Sequence, residues 1–373
     1  MKPQLAMRLL ADRMQWDDSR AASEFAWLRL MVGYKYDHYQ GYGPGSRFFV
    51  NLLYWLGQFS SVAQREEAYK LVRTRLIYIS QREMNHLVAL TMPVLEREMR
   101  RAVAHELGIP FHATWGRADA RKRFKLMRLR TLFVALSDGA RIDVFRRDNE
   151  GIVSNEQVVA SSEISDTKWE SVTKKLQERL VKSGYSEDDA IFERVCLIDD
   201  FTGSGFSLIR QEPDTLVWDG KVPRFCAHNT PRLGKQLRHE CVIQVHHYLA
   251  SSKAKQTISK TLTDYHKAAP GFSFCTSFSS VLSPNIVIDE SSDAGLVGLL
   301  TSCYDESVQT THTASGLQFG YRESGLSLVL DHNTPNNSVA LLWAASKDNG
   351  NAAHTMRPLF PRKERHSDHG QPV

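Results

Sequence analysis

Apolar and polar positions along this chain follow two rhythms, and the change falls near residue 130. In the first stretch apolar residues recur at helical intervals. Ser61 with Gln64 has the spacing of a capping box and predicts a helix through Leu71, Val72 and Leu76. Ser80 with Glu83 predicts another, leading into Leu87, Leu90 and Leu95. Pro93 is expected to kink or divide it, and Gly108-Ile109-Pro110 to end it. Aromatic residues crowd between Tyr34 and Phe59. They are expected to hold helices together, with a base-stacking platform as the alternative.

From Thr131 onward short apolar runs alternate with amphipathic stretches, the texture of an α/β domain. Strands are predicted at 132–136, 194–198, 242–246 and 326–330, and helices at 141–147, 169–180, 253–266 and 293–303. Residues 148–165 are polar and loop-like, with an edge strand at Val158-Val159. The expected organisation is a helical region over 1–130, an α/β domain over 131–345, and a polar, flexible tail over 346–373.

The length, 373 residues, suits two domains and a core that needs no disulfides. With 42% hydrophobic and 24% charged residues, a disordered, collagen-like or disulfide-stapled chain is excluded. Five cysteines without a CxxC pair suit free thiols in a reducing cytoplasm. No apolar run is long enough to cross a bilayer and no export signal is seen, so no membrane partner is expected. Charge is uneven. Residues 1–130 carry 22 Lys/Arg against 12 Asp/Glu, and the rest 25 against 30. A basic first part either faces a polyanion or is a solvated helical surface.

The chemistry concentrates in Arg194-Val-Cys-Leu-Ile-Asp-Asp-Phe-Thr-Gly-Ser-Gly-Phe-Ser207. An apolar strand ends in two carboxylates, Asp199 and Asp200. A loop of small residues, Thr202-Gly203-Ser204-Gly205, follows, and a helix is expected to begin near Phe206. Glycines and hydroxyl residues let backbone N–H groups close around a phosphate, and a helix start adds partial positive charge. Adjacent carboxylates can accept hydrogen bonds from vicinal hydroxyls. Together they describe a sugar phosphate outside the carboxyl edge of a parallel sheet. The competing reading is an ordinary strand, turn and helix with a capping Asp. A Walker A loop is excluded because Gly-Lys-Ser/Thr is absent, and GxGxxG because Leu208 stands at the third glycine.

The segment resembles the 5-phosphoribosyl-1-pyrophosphate (PRPP) signature of type I phosphoribosyltransferases. The resemblance implies a type I phosphoribosyltransferase-like parallel sheet flanked by helices, with an N-terminal helical region. It implies that Asp199 and Asp200 hold the ribose hydroxyls and that Thr202, Gly203, Ser204, Gly205 and Ser207 hold the 5′-phosphate. Ser137, Asp138 and Gly139 resemble the loop that approaches the diphosphate, although a tight turn explains them equally well. Residues 148–165 would then be the mobile loop covering the site, with Arg146 and Arg147 as its basic candidates. Mg²⁺ is the implied cofactor, held mainly by the ligand and by Asp199 and Asp200.

Four stretches (137–143, 154–157, 197–205 and 332–338) also resemble phosphoribosyltransferase-like proteins of bacterial conflict systems, some of them effectors encoded beside retron reverse transcriptases. That resemblance covers about residues 20–345 and implies an anti-phage role. The partners it implies are PRPP or a nucleotide-like molecule, a retron reverse transcriptase with its DNA or RNA on the basic first part, and a second copy of the chain. Asn333, Asn336 and Asn337 would line an acceptor pocket; Asn-Thr-Pro and Asn-Asn are also ordinary turn chemistry.

The remaining candidates carry less. Cys226, His228, His239 and Cys241 match no common zinc spacing. His246-His247 reads as structural or near the pocket. Three functions stay open: an effector enzyme that transfers or hydrolyses at C1′, a non-catalytic PRPP- or nucleotide-binding regulatory subunit, and a nucleic-acid-binding module built on Arg121 to Arg130.

Overall fold

The computed structural model describes residues 3–43, 47–309, 316–347 and 354–362. It contains strands β1 (Ile77–Ile79), β2 (Thr131–Ala135), β3 (Val158–Val159), β4 (Phe192–Thr202), β5 (Arg210–Gln211), β6 (Trp218–Asp219), β7 (Leu237–Ser251), β8 (Phe272–Leu282) and β9 (Leu328–Leu330). The chain divides into two compact units, Met84–Ser283 and Met1–Glu83 with Pro284–Val373.

The first of these is mixed α/β. Its sheet has five strands in the order β3-β2-β4-β7-β8, all parallel. Continuous apolar runs such as Leu132-Phe-Val-Ala135 and Val195-Cys-Leu-Ile198 suit strands buried on both faces. The helices Asp166–Lys182 and Ser252–His266 turn Trp169, Val172, Leu176, Leu180, Ala254, Ile258 and Leu262 onto one face. Ser165 and Ser251 cap these helices, accepting bonds from Lys168 N and Ala254 N. The path of the chain matters more than the layers. From β2 it steps outward to β3, then returns across β2 to β4, and from β4 it steps the other way to β7 and β8. The order therefore reverses between β2 and β4, and open α/β sheets bind ligands at that crevice, outside the carboxyl ends of the strands.

The second unit is mainly helical around an aromatic core. Tyr36, Tyr39, Phe48 and Tyr78 surround Phe360, which is fully buried. The aromatic segment of the sequence thus holds helices together, as expected. The β1–β9 pair is parallel and is extended by Ile77 N to Ser327 O (2.8 Å) and Asp331 N to Ile79 O (2.9 Å). These bonds bring the C-terminal part of the chain back to its beginning.

Several expectations change here. The compact units do not follow the 1–130 and 131–345 division, because residues 84–130 join the unit that holds the sheet and residues 284–345 join the unit of the first helices. The strand near 326–330 pairs with β1 and lies outside the main sheet. Met356, Leu359 and Phe360 are buried, so part of the tail is core; residues 348–353 and 363–373 lie outside the described residues. Both capping boxes form, and Pro93 sits in the first turn of Thr91–Glu106, just after Gln81–Ala89 ends.

Candidate active site

β4 carries Asp199 and Asp200 at its carboxyl end, buried to 4% and 8% exposure. β2 lies beside it in register, Ala135 opposite Ile198, and Leu136 N donates to Ile198 O at 2.8 Å. The loops leaving the two strands therefore emerge side by side. Ser137 Oγ donates to Asp199 Oδ1, which also accepts Asp200 N at 3.2 Å. Asp200 Oδ1 accepts Phe201 N at 2.7 Å. Gly139 packs so closely that a Cβ there would stand 2.5 Å from Asp200 Oδ2. The need for glycine at 139 is thus a close approach to the second acid. Asp138 at this turn is exposed, and Tyr248 OH donates to Ala140 O behind it.

The small-residue loop follows directly. Thr202 and Gly203 are buried, and Ser251 Oγ donates to Gly203 O at 2.6 Å while accepting Ala254 N at 2.9 Å. One serine thus ties the loop to the start of the helix Ser252–His266. Gly205 has a φ of +78°, and a Cβ there would stand 2.7 Å from Ile258 Cγ1. Ser204 Oγ accepts Phe206 N at 3.4 Å, and Ser207 is exposed.

No helix begins near Phe206, contrary to expectation. Leu208 N and Ile209 N both bond to Gly205 O as a turn, and an antiparallel β5–β6 hairpin follows. Arg210 pairs with Glu212 and Asp219 there, which favours the hairpin over a helix. The next helix is Lys221–Asn229. The loop is therefore a backbone cradle without a helix of its own behind it.

That later helix supplies a residue the sequence reading missed. Lys221 Nζ pairs with Asp199 Oδ2. The available signal was Gly220-Lys221-Val222-Pro223, a glycine stop followed by a proline near a helix start. His247 is Asp199's partner on β7 and is almost fully buried, its Nδ1 without a hydrogen-bond partner among the described residues. Burial pushes His247 down to about 4, against the pull of Asp199, and His246 down to about 3. The His246 ring bonds Ser277 Oγ (2.9 Å) and Ser279 Oγ (3.1 Å).

Asn333, Asn336 and Asn337 belong to the other compact unit. Asn337 Nδ2 donates to Ser324 Oγ (2.9 Å) and Tyr321 O (3.3 Å), and Asn333 Oδ1 accepts Thr334 N at 3.0 Å. The stretch expected to be a mobile cover is anchored at Gln157. Gln157 is buried and its Nε2 donates to the carbonyls of Arg128, Leu129 and Thr131. Arg147 pairs with Asp143 on its own helix. In the basic stretch Arg117, Arg123 and Arg128 pair with Asp119, Glu193 and Glu96, and Arg130 Nε donates to Ile191 O. Much of that charge holds the unit together. Among the described residues no group of three His, Cys, Asp or Glu is placed to hold a metal ion, so the cysteine–histidine zinc candidate does not assemble. No described helix is long and apolar enough to cross a membrane.

A parallel sheet with its acids and small-residue loop at the switch point is the arrangement expected of a phosphoribosyltransferase-like chain. The PRTase-CE family model matches residues 52–362. The chain belongs to the PRTase-CE family. The match takes in the whole sheet-bearing unit, including both loops of the site, and runs on to the buried Phe360. As a PRTase-CE protein the chain is phosphoribosyltransferase-like in fold and in the coarse sense of function. No curated protein and no solved structure matches it.

Proposed function

We propose that this PRTase-CE protein binds PRPP, or a closely related ribose phosphate, with Mg²⁺ and promotes substitution at C1′. The observation that carries the reading is the meeting of two loops at the β2–β4 reversal, with Ser137 on Asp199 and Gly139 on Asp200. In this reading the two acids accept the ribose hydroxyls. The backbone of Gly203, Ser204 and Gly205 closes around the 5′-phosphate, with Thr202 and Ser207 at its margins. The Ser137–Gly139 backbone approaches the diphosphate, where small residues leave room.

The donor chemistry fits magnesium, since Asp199 and Asp200 offer hard oxygens. Two adjacent carboxylates are too few for a protein cage, so the ligand's own oxygens would complete the shell. Bound there, the ion would neutralise the diphosphate. The chain's own part is to hold C1′ and the leaving group in line and to keep the diphosphate in a field of N–H donors. The C1′–oxygen bond to diphosphate breaks and an acceptor, or water, forms the new bond. The resemblance of the flanking motifs supports an effector role in retron-type anti-phage defence.

A second reading, a binding subunit without turnover, is favoured by the burial of both acids and the existing Asp199–Lys221 pair. Calorimetric titration with PRPP and Mg²⁺ tests the shared claim. The wild type should bind, and Asp199→Asn with Asp200→Asn should weaken binding at least about 100-fold, as expected for lost charge-assisted hydrogen bonds. Equal binding by both proteins would place the ligand elsewhere. Binding without release of diphosphate in the presence of water, free bases or nucleic acid would favour the regulatory reading.

A further inference from the structure

We propose that Lys221 is an internal cation that fills the ribose subsite until ligand arrives, so that ligand binding and release of Lys221 from Asp199 are one event. The inference rests on the sugar-phosphate reading of the site and assigns it a device of its own. Both oxygens of Asp199 are engaged. Ser137 Oγ and Asp200 N take Oδ1, and Lys221 Nζ takes Oδ2. The lysine is the outer partner, its side chain 28% exposed against 6% for the acid. Two adjacent carboxylates this deeply buried need a nearby cation, and Lys221 supplies it. A ribose hydroxyl donates to the same oxygen and needs the space that the ammonium fills, so the lysine has to leave Asp199 as the ligand enters.

Its departure is linked to the phosphate loop through the backbone. Lys221 N donates to Ser207 O at 3.2 Å and Val222 N to Leu208 O at 3.0 Å. Gly220, at a φ of +119°, lies so close to this turn that a Cβ would stand 2.6 Å from Leu208 O. The segment that carries the lysine is therefore bonded to the residues that directly follow the loop. A phosphate settling on 203–205 and hydroxyls settling on Asp199 act on one connected piece of chain. The helix behind Lys221 is anchored from its first turn by Val222, Phe225 and Cys226, all buried, which leaves the lysine side chain, 28% exposed, as the part able to yield.

Titration of the full chain with PRPP and Mg²⁺ tests this. Lys221→Met and Lys221→Gln should each bind about tenfold more tightly than the wild type, because the competing cation no longer lowers the fraction of competent sites. Weaker binding by both would make Lys221 a ligand contact and overturn the proposal. A variant-free arm guards against misfolding: the wild type is treated with an amine-reactive reagent and Lys221 modification is followed by mass spectrometry. Its rate should rise when PRPP and Mg²⁺ are added; an unchanged or lower rate overturns the proposal. The Asp199→Asn, Asp200→Asn protein separates the two levels. If it loses binding while the Lys221 variants also weaken, the site stands and only the lysine's role falls. If it binds as the wild type does, or if no protein binds, the sugar-phosphate reading fails and takes the lysine with it.

Discussion

Residues 197–205 and 330–338 read alike in sequence. Each leaves an apolar strand through aspartate and continues with hydroxyl, amide or glycine residues. They fold to different ends. At 199–205 the polar groups include two carboxylates, and besides the adjacent backbone N–H groups Asp199 draws partners from other connections of the sheet: Ser137 after β2 and Lys221 after the β5–β6 hairpin. At 333–338 the groups are neutral and close turns. Asn337 bonds Ser324 and Tyr321, and Ser338 Oγ donates to Leu328 O at 2.6 Å while accepting Leu328 N at 3.2 Å. What separates the two stretches is thus the kind of group and partner: a carboxylate held by a hydroxyl and an ammonium at one, amides and hydroxyls closed on backbone and neutral side chains at the other. Charged groups drawn together at a reversal of strand order remain available to a ligand that brings better partners. Amides committed to backbone carbonyls do not.

Acid should break this comparison most strongly, because the first stretch rests on buried neutral histidines while His332 in the second is part-exposed. Unfolded, each ring takes up a proton near pH ~6.5. In the fold His247 does so at about 4 and His246 at about 3. Below pH ~6.5 the unfolded chain therefore binds more protons than the folded one. The stability tied to these neutral rings is present above that pH and lost as pH falls toward 4 and then 3. The slope approaches ~1.4 kcal/mol per pH unit for each histidine, so roughly 4 kcal/mol should go by pH ~5. Denaturant midpoints measured from neutral pH downward check this, and a flat profile would mean the rings are protonated in place.

Gly139→Ala sharpens the comparison at the site itself. The new Cβ would crowd Asp200 Oδ2 at 2.5 Å and Cγ at 2.8 Å, so the acid has to move. Ligand affinity should fall about tenfold while the fold loses only ~1–2 kcal/mol. Calorimetric titration beside thermal unfolding separates the two. A loss of stability with unchanged affinity would reduce the 137–139 loop to a tight turn.

How much of this was legible in advance depended on how a stretch is buried. The runs at 132–136 and 194–198 announced themselves because strands covered on both faces are apolar throughout. β8 did not, since Phe-Ser-Phe-Cys-Thr-Ser-Phe-Ser-Ser alternates apolar with small polar residues and has no continuous apolar run. Its Ser277 and Ser279 serve the ring of the buried His246, a match only the sheet register brings about. The acid pair and glycine loop were readable because they are contiguous. Lys221 was not, because Gly220-Lys221-Val222-Pro223 signals a helix start but not Asp199, the partner to which the β5–β6 hairpin returns it. The expected helix at Phe206 was lost to a turn and to the Arg210 ion pairs, partners that local propensity does not show. Phe360 looked like tail because its neighbours are polar, and yet it centres an aromatic cluster.

The smallest effect is expected at Asn337, and it tests the other half of the comparison. If this amide reads an acceptor's edge, Asn337→Ala should leave stability alone and reduce turnover with the acceptor. The geometry argues otherwise. Both amide hydrogens have partners, Ser324 Oγ and Tyr321 O, and Asn337 is itself buried. Truncation would take a donor from Ser324 Oγ and one of the two donors from the Tyr321 carbonyl, which keeps Ser324 Oγ at 2.7 Å, at a cost of about 1–2 kcal/mol. Affinity for PRPP with Mg²⁺ should be unchanged. Asn337→Asp should cost more, because a carboxylate would face a carbonyl oxygen that it cannot serve. Thermal unfolding of the two variants, ranked Ala above Asp and both below the wild type, would establish the amide as turn closure. Wild-type stability in both, with slowed transfer to an acceptor, would return Asn337 to the site.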